Sequence, residues 1–351
     1  MLPDPSRPTD LFSQQAANRR RSRWLVAGFV LFFAWLGLGG DWLAWEFTQD
    51  RPAAQYHHSL PLFGLAMFAI GFGLVAYIRK TGADKVLWST GAWQLLNPVT
   101  PQEKVLDNVV QEMAIASGLP KPTVWIVDDP DPNAFTTGND PAHAHIAVTS
   151  GLLATLSRDQ LEAVIAHEMG HVKNLDTQLM TLMAGLVGAV ALISNGLGRI
   201  LFRGGFGDSG RGGVGGGGGR SKGGPGPLVL VVLVIWVVSW ILAPIITRLM
   251  AMGISRNREY LADAMSAQFT RNPLSLASAL EKIEGASEPS TTIKGGVAHL
   301  CIADPLGRHV SGLQGFVGDL LATHPPMAMR IARLKAMGYQ AQKASGTFQA
   351  S

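Results

Sequence analysis

The chain is poor in cysteine and in charged residues. Cys301 is its only cysteine, which excludes an internal disulfide and any metal site built from several thiolates. Charged residues make up 15% of the 351 residues, whereas about 25% is usual for a globular protein. The formal net charge of +4 gives no reason to expect nucleic-acid binding. Hydrophobic residues, in contrast, make up 47% of the chain.

Four long stretches without any charged residue carry much of that hydrophobic content. They are residues 24–40, 61–78, 177–198 and 227–247. Each is close to the roughly 20 residues that cross a bilayer as a helix. We therefore expect a mainly α membrane protein with about four transmembrane or membrane-embedded helices. The alternative for such stretches is a set of buried helices in a soluble protein.

Basic residues next to the first two stretches predict the orientation of the chain. They lie just before the first stretch and just after the second: Arg19, Arg20, Arg21, Arg23, Arg79 and Lys80. The loop between the two stretches, 41–60, has Arg51 as its only lysine or arginine. Because positive charge is retained in the cytoplasm, we expect the N-terminus and the chain after Arg79 to be cytoplasmic. The same rule places loop 41–60 outside.

The loop 199–226 does not fit this orientation. It should face outside, yet it contains five lysines and arginines and one acidic residue. Either the charge rule is weakly broken here, or the third and fourth stretches form a hairpin that does not fully cross. Its glycine run, 212–219, is typical of a flexible linker, because no strand precedes it and no Gly-Lys-Ser/Thr ending follows.

The motif that indicates chemistry is His167-Glu168-Met169-Gly170-His171. Two histidines four residues apart lie on one face of a helix, so both imidazoles can bind one metal ion. Glu168 can then hold and deprotonate a metal-bound water. Ser157 and Gln160 form a capping box that begins the helix, and apolar residues at helical spacing indicate that much of it is buried. The alternative is a pair of surface histidines beside a surface glutamate.

A third protein ligand is needed for a catalytic zinc, and the best candidate follows the fourth apolar stretch. Glu259 and Asp263 are four residues apart and share a helix face. Glu259 can bind the metal while Asp263 accepts the free N–H of a ligand histidine, which fixes the tautomer of the imidazole. An ordinary amphipathic helix with two solvated acids is an equally good interpretation of the spacing.

Several motifs, taken in order, resemble the HtpX family of membrane-embedded zinc metalloproteases, which are related to the type I CAAX prenyl proteases. The resemblance runs from about Leu106 to Leu334. It is carried by the following segments: 133–138, 147–153, His167 to His171, Glu259 to Asp263, His324-Pro325-Pro326 and Arg330. It implies a cytoplasmic zincin-like α+β metalloprotease domain with a small β-sheet and one Zn²⁺ per chain.

The resemblance also implies a role for each matched residue. His167, His171 and Glu259 would bind zinc, Glu168 would be the general base, and Asp263 would support the histidines. His324 and Arg330 would stabilise the developing oxyanion or bind substrate, although Pro325 and Pro326 could simply end a helix and leave His324 solvated. The backbone of Asn133, Ala134 and Phe135 would lie on an edge strand that pairs with substrate.

The residue patterns give a domain plan. We expect a transmembrane hairpin within 1–80, catalytic segments at 81–176 and 248–351, and the remaining two membrane helices within 177–247. In the first catalytic segment, a helix is predicted from about Gln102 to Ser117. Two strands are predicted at 123–127 and 145–149, with a turn-rich loop between them.

Both metal-binding segments lie close to apolar stretches. If the helix of His171 continues to Leu179, the two residues are about 12 Å apart along it, which predicts a zinc site near the cytoplasmic membrane surface. We therefore expect membrane-protein substrates. The resemblance adds clearance of misfolded or damaged proteins at the bacterial inner membrane. The glycine-containing stretch 286–320 is our candidate lid.

Two other functions fit the same motifs. One is a zinc hydrolase that acts on a prenylated or lipid-linked peptide. The other is a membrane scaffold or holdase with a structural metal site, although such a site usually has four protein ligands. The sequence does not predict the oligomeric state.

Overall fold

The computed structural model describes residues 11–48, 60–189, 234, 236–239, 256–286, 290, 292–293, 297–303, 305 and 325–344. The chain divides into two compact units. The first comprises Met1–Arg23, Ile78–Gly185 and Met250–Ser351, and the second comprises Trp24–Tyr77 and Leu186–Leu249.

The first two helices, α1 (Leu11–Thr48) and α2 (Leu62–Ser89), contain the first two uncharged stretches. Among the described residues, these are the two helices long and apolar enough to cross a membrane, over Gln15–Glu46 and Leu62–Ser89. The Asp41 carboxylate caps the start of α2 by accepting hydrogen bonds from the backbone N–H groups of Phe63 (3.0 Å) and Gly64 (2.7 Å).

The third and fourth stretches are described only in part. The third is helical from 177 to 189, and of the fourth only 234 and 236–239 are described, which are also helical. Loop 199–226 lies outside the described residues. The expected count of four membrane helices is therefore still a prediction.

Helix α3 (Pro101–Ser117) confirms the helix expected at 102–117 and packs on the catalytic segments. Thr100 and Glu103 form a capping box at its start. It ends at Gly118, whose φ of 71° suits glycine in a left-handed C-cap.

A four-stranded mixed sheet follows α3 in the chain. Its strands are β1 (Trp93–Gln94), β2 (Thr123–Val127), β3 (Ala134–Gly138) and β4 (Ala144–Thr149), in the order β1-β2-β4-β3. β2 and β4 are the two predicted strands, and they pair in parallel. The segment predicted to be a turn-rich loop contains β3, which pairs antiparallel with β4 and forms one edge of the sheet.

Besides two short 3-10 helices, Pro141–His143 and Ala298–Leu300, the first unit contains all or most of six further described α-helices. They are α4 (Ser150–Thr155), α5 (Arg158–Lys173), α6 (176–189), α7 (Arg256–Thr270), α8 (Pro273–Glu284) and α9 (Met327–Ala344). Helices α3, α4, α5, α8 and α9 and one face of the sheet share one core, with Val109, Ile146, Val164 and Leu280 fully buried. Helix α6 packs in a second cluster with the other face of the sheet. This core fixes the positions of α5 and α7, the two helices that carry the metal-binding motifs.

Candidate metal centre

Helix α5 holds His167, Glu168 and His171 inside the first unit. Gln160 Oε1 accepts a hydrogen bond from the backbone N–H of Ser157 at 3.0 Å, as expected for the capping box at the start of the helix. All three motif residues are buried, with at most 4% of each exposed. The alternative of a surface pair of histidines is therefore wrong, and these polar side chains need partners inside the protein.

Helix α7 provides a partner carboxylate at close range. A Cβ on Gly170 would lie 3.2 Å from Ala262 Cα, so the missing side chain lets α7 approach α5. Glu259 is buried, and its carboxylate lies 3.5 Å (Oε1) from His171 Nε2 and 3.7 Å (Oε2) from His167 Nε2. The solvated alternative for Glu259 and Asp263 is wrong, because each is less than 5% exposed.

The spacing of the three donor groups fits a tetrahedral zinc site. His167 Nε2 and His171 Nε2 are 3.2 Å apart, and the separations of these nitrogens from the Glu259 oxygens are 3.7 and 3.5 Å. Ligands about 2.0–2.2 Å from one tetrahedral ion lie roughly 3.3–3.6 Å from each other. Among the described residues, this is the one group of His, Cys, Asp or Glu side chains close enough to hold a metal ion.

Asp263 lies behind His167, as its sequence position predicted. Asp263 Oδ1 is 3.0 Å from His167 Nδ1, so His167 Nε2 faces the shared site. Burial acts to raise the pKa of Asp263, but the charge of Arg330 and the contact with His167 outweigh it and hold that pKa below its ordinary value. The carboxylate therefore stays ionised and keeps the imidazole in place.

Arg330 lies beneath the site and is fully buried. It donates two hydrogen bonds to Asp263, from Nε at 3.0 Å and Nη2 at 2.7 Å, and one from Nη1 to the carbonyl of Ile302 at 2.9 Å. Its Nη1 is also 3.4 Å from Glu259 Oε2. These contacts orient the carboxylates on α7. His324, the other residue predicted to stabilise the oxyanion, lies outside the described residues.

Asp176 lies behind His171, and the sequence analysis missed it. The helix does not continue from His171 to Leu179. It breaks at Leu175, whose φ is 60°, and the turn brings Asp176 Oδ2 to 3.0 Å from His171 Nδ1. The signal was present as an acidic residue five positions after His171, but its role depends on a turn that helical spacing does not reveal.

The pKa of His171 reflects this environment. Burial acts to lower it, but the hydrogen bond to Asp176 and the charge of Glu259 raise it to about 9. In the metal-free protein the imidazole is therefore charged at neutral pH. The proton on His171 then supplies a positive charge beside the carboxylates of Asp176 and Glu259.

Buried charged groups surround the histidines in the described part of the chain. The carboxylates are those of Glu168, Asp176, Glu259 and Asp263, and the guanidinium groups are those of Arg258 and Arg330. A carboxylate beside two imidazole nitrogens is a donor set that zinc takes, so a divalent cation between the three donors fits this arrangement.

The Glu168 carboxylate is held by Thr136 of β3, which the sequence analysis also missed. Thr136 Oγ1 donates to Glu168 Oε2 at 2.5 Å. Oε1 of the same carboxylate accepts no hydrogen bond from any described residue. One oxygen is therefore fixed and the other can accept a proton from a nearby water.

The predicted substrate-binding residues lie at the start of β3, on the edge of the sheet. That edge is already in contact with residues of the same chain. Phe135 and Cys301 form an antiparallel bridge, and the backbone N–H of Ile302 donates to the carbonyl of Ala134 at 2.9 Å. Asn133 Nδ2 donates to the carbonyl of Ala303 at 3.0 Å. A substrate strand at Asn133–Phe135 would require the segment 301–303 to move.

Comparisons with known proteins agree with this geometry. The model for peptidase family M48 matches residues 101–338. A protease HtpX homolog from Caldanaerobacter subterraneus subsp. tengcongensis is 39% identical over 329 residues, which is 93% of this chain and 98% of the relative. A second, from Tropheryma whipplei (strain Twist), is 44% identical over 276 residues, 79% of this chain and 85% of the relative.

A solved structure gives a weaker similarity. The crystal structure of S. mikatae Ste24p aligns with a TM-score of 0.43 and 16% identity, over 92% of this chain and 66% of that one. A similarity this low supports no assignment of function. The family match covers more than half of the chain and contains α5, α7 and Arg330. The chain therefore belongs to peptidase family M48, and it is a metalloprotease.

Proposed function

We propose that this chain is an integral membrane zinc endopeptidase that cleaves misfolded or damaged membrane proteins at the cytoplasmic face of the bacterial inner membrane. The observation that carries the proposal is the convergence of His167, His171 and Glu259 beside the Glu168 carboxylate, in a chain with two helices suited to crossing a bilayer. The HtpX homologs are named as proteases, which supports hydrolysis of peptide bonds.

Three residues would hold the metal. They are His167 and His171 through Nε2, and Glu259 through its carboxylate, and three protein ligands leave a coordination position for water. When bound, zinc polarises a water and the peptide carbonyl and brings the pKa of the water to near 7. Asp263 and Asp176 keep both imidazoles in the tautomer that presents Nε2 to the site.

Glu168 would act as the general base. The hydrogen bond from Thr136 fixes Oε2, and Oε1 is left to take the proton from the attacking water. Glu168 would then deliver that proton to the leaving amine, since a general base in one step serves as general acid in the next.

The developing negative charge on the carbonyl oxygen needs a donor. His324 and Arg330 are proposed for this role because both match the family motif. In the structure, Arg330 is engaged by Asp263 and by the carbonyl of Ile302. We therefore assign its main contribution to the orientation of Asp263 and Glu259, with His324 as the proposed donor to the oxyanion.

The placement of the N-terminal segment supports the proposed cytoplasmic location. The described residues 11–23 belong to the same compact unit as the metal centre. The exposed arginines Arg19, Arg20, Arg21 and Arg23 favour a cytoplasmic N-terminus, so they favour a cytoplasmic active site as well. Substrates that reach such a site are loops and span ends of membrane proteins, or unfolded segments at the membrane surface.

A matched pair of glutamate variants tests the proposed chemistry. Glu168→Gln should bind zinc as wild type does but lose cleavage of casein by a factor of about 100 or more, because the base is absent. Glu162→Gln, on the same helix but paired with Arg158 at the surface, should cleave normally. Retained cleavage in Glu168→Gln, or cleavage by wild type that survives zinc chelation, would contradict the proposal.

A further inference from the structure

The N-terminal part of α1 packs against the turn that follows α5. Gln15 Nε2 donates to the carbonyl of Lys173 at 2.7 Å, and Asn18 Nδ2 donates to the carbonyl of Asn174 at 3.0 Å. Asn18 is 1% exposed, although it lies among exposed arginines. A buried amide at this point of a basic, solvent-facing segment calls for a specific partner.

That partner is the carboxylate behind His171. Asn18 Nδ2 is 2.7 Å from Asp176 Oδ1, which is shorter than its bond to the backbone of Asn174. The other oxygen, Oδ2, lies 3.0 Å from His171 Nδ1 and accepts from Asn174 Nδ2 at 3.3 Å. Asn18 therefore holds one side of the carboxylate while the other side faces the imidazole.

A competing cation makes this contact important. Arg258 Nε is 3.7 Å from the same oxygen, Asp176 Oδ1, and Arg258 is buried. A neutral amide at 2.7 Å fixes the direction of the carboxylate. Without it, the attraction of Arg258 would turn Asp176 toward α7 and lengthen its contact with His171.

We propose that Asn18 is a positioning residue for the metal centre and acts on His171 through Asp176. The proposal rests on the proposed function, because it takes His171 to be a metal ligand. Asn18 lies outside residues 101–338, the part of the chain that matches the family model. The metal centre would thus depend on a side chain of the first helix, in the N-terminal segment that we expected to be cytoplasmic and to precede the first membrane stretch.

Loss of the Asn18 amide would leave the Asp176 carboxylate less firmly oriented, and with it the His171 imidazole. Changes to groups that orient a ligand histidine typically reduce metal affinity about 10- to 100-fold. Asn18 is one contact further from the metal, so we expect a loss smaller than that range, about 5- to 10-fold. The number of protein ligands is unchanged, and zinc in excess should restore activity.

The test compares Asn18→Ala with Gln15→Ala in the purified full-length protein, with zinc affinity measured by competition with a chromogenic chelator. Gln15 is one turn earlier on the same helix, and its side chain bonds the backbone carbonyl of Lys173, so it controls for the docking of α1. We expect Asn18→Ala to lose about 5- to 10-fold in affinity and Gln15→Ala less than 2-fold. Equal effects in the two variants, or none, would overturn the proposal.

Two further variants separate the hydrogen bond from packing. Asn18→Leu keeps side-chain bulk but has no donor, and it should lose as much affinity as Asn18→Ala; recovery to within 2-fold of wild type would assign the effect to packing. In an Asp176→Ala background, Asn18→Ala should cause no further loss, and additive losses would mean that Asn18 acts elsewhere.

Failure of the proposed function has a different signature. If His171→Ala binds zinc as tightly as wild type, His171 is not a ligand and both proposals fail. If His171→Ala loses zinc while Asn18→Ala and Gln15→Ala behave alike, only the role of Asn18 is wrong.

Discussion

At the scale of single residues, the proposed metal centre would depend on carboxylates that contact the histidines on the side away from the metal. Asp263 and Asp176 lie 3.0 Å from the Nδ1 atoms of His167 and His171. Each fixes a tautomer and raises the basicity of a ligand. Asp176→Ala should therefore lower zinc affinity about 10- to 100-fold, measured by chelator competition. Asp107→Ala removes an exposed carboxylate that pairs with Lys121 and should leave the affinity unchanged; unchanged affinity in Asp176→Ala would contradict the role.

Protonation of His171 makes metal binding depend on pH. Its pKa of about 9 in the metal-free protein exceeds the ordinary value, so the imidazole is charged at neutral pH and must lose its proton to bind zinc. Apparent affinity should fall about tenfold for each unit that the pH drops below 9 and level off above it. Calorimetry in buffers of different ionisation enthalpy should show about one proton released at pH 7.5. Binding without proton release would contradict this account.

A variant of Thr136 tests how the carboxylate of Glu168, the proposed general base, is held. Thr136→Val keeps the shape of the side chain and removes the hydrogen bond to Glu168. Because a hydrogen bond to a charged group is worth about 1.5–3 kcal/mol, kcat should fall about 10- to 100-fold with zinc content unchanged. Thr137→Val is the matched control, since the neighbouring hydroxyl bonds Thr181 and not Glu168. Equal losses in both variants would mean that the strand is disturbed.

Sequence spacing was sufficient for residues that share a helix face. His167 and His171 are one turn apart, and so are Glu259 and Asp263, and the helical period alone places each pair on one side. Asp176 and Thr136 were not predictable in this way. Their positions depend on the left-handed Leu175 and on the register of β3, and both are set by tertiary packing.

At the scale of elements, the site requires α5 and α7 to pack closely. Gly170 permits this, because an added Cβ would lie 3.2 Å from Ala262 Cα and 3.3 Å from Met265 Cβ. Gly170→Val should push α7 away and take Glu259 with it, reducing zinc affinity and stability together. Gly170→Ala, with a single methyl, should cause a smaller loss. Metal binding and thermal unfolding of both variants check the order, and a valine variant that binds zinc normally would contradict it.

The strands differ in how well the sequence predicts them. β2 and β4 are rich in β-branched and apolar residues, so their pattern indicates strands. β3 has the sequence Ala-Phe-Thr-Thr-Gly and is buried at every residue, so it shows no alternation of polar and apolar side chains. Its position came from the family resemblance, and residue pattern alone indicated a loop.

At the scale of the whole molecule, the chain has two compact units, and segments far apart in sequence form each of them. The uncharged stretches 24–40 and 61–78 lie within α1 and α2, the two described helices that are long and apolar enough to cross a membrane. Hydropathy did not show that the described residues 11–23 belong to the unit with the metal centre. The contact between the start of α1 and the turn after α5 depends on single side-chain amides such as that of Asn18. A hydropathy profile does not identify such residues.

Orientation in the membrane can be tested with single cysteines. Cys301 is buried and is the only native cysteine, so Cys301→Ala gives a background without thiols. In intact cells, a membrane-impermeant maleimide should label Ala54→Cys in the outer loop but not Ser351→Cys at the C-terminus, which should react only after permeabilisation. Labelling of both in intact cells, or the reverse pattern, would contradict a cytoplasmic active site.

Metal analysis of wild type, Glu259→Ala and Glu281→Ala tests the central claim most directly. Glu281 is an exposed carboxylate on α8 that pairs with Lys335, so its replacement controls for loss of a charge. We expect about one zinc per chain in wild type and Glu281→Ala, and little or none in Glu259→Ala after dialysis against a weak chelator. One tightly bound zinc in Glu259→Ala, or none in the folded wild type, would contradict a catalytic site formed by His167, His171 and Glu259.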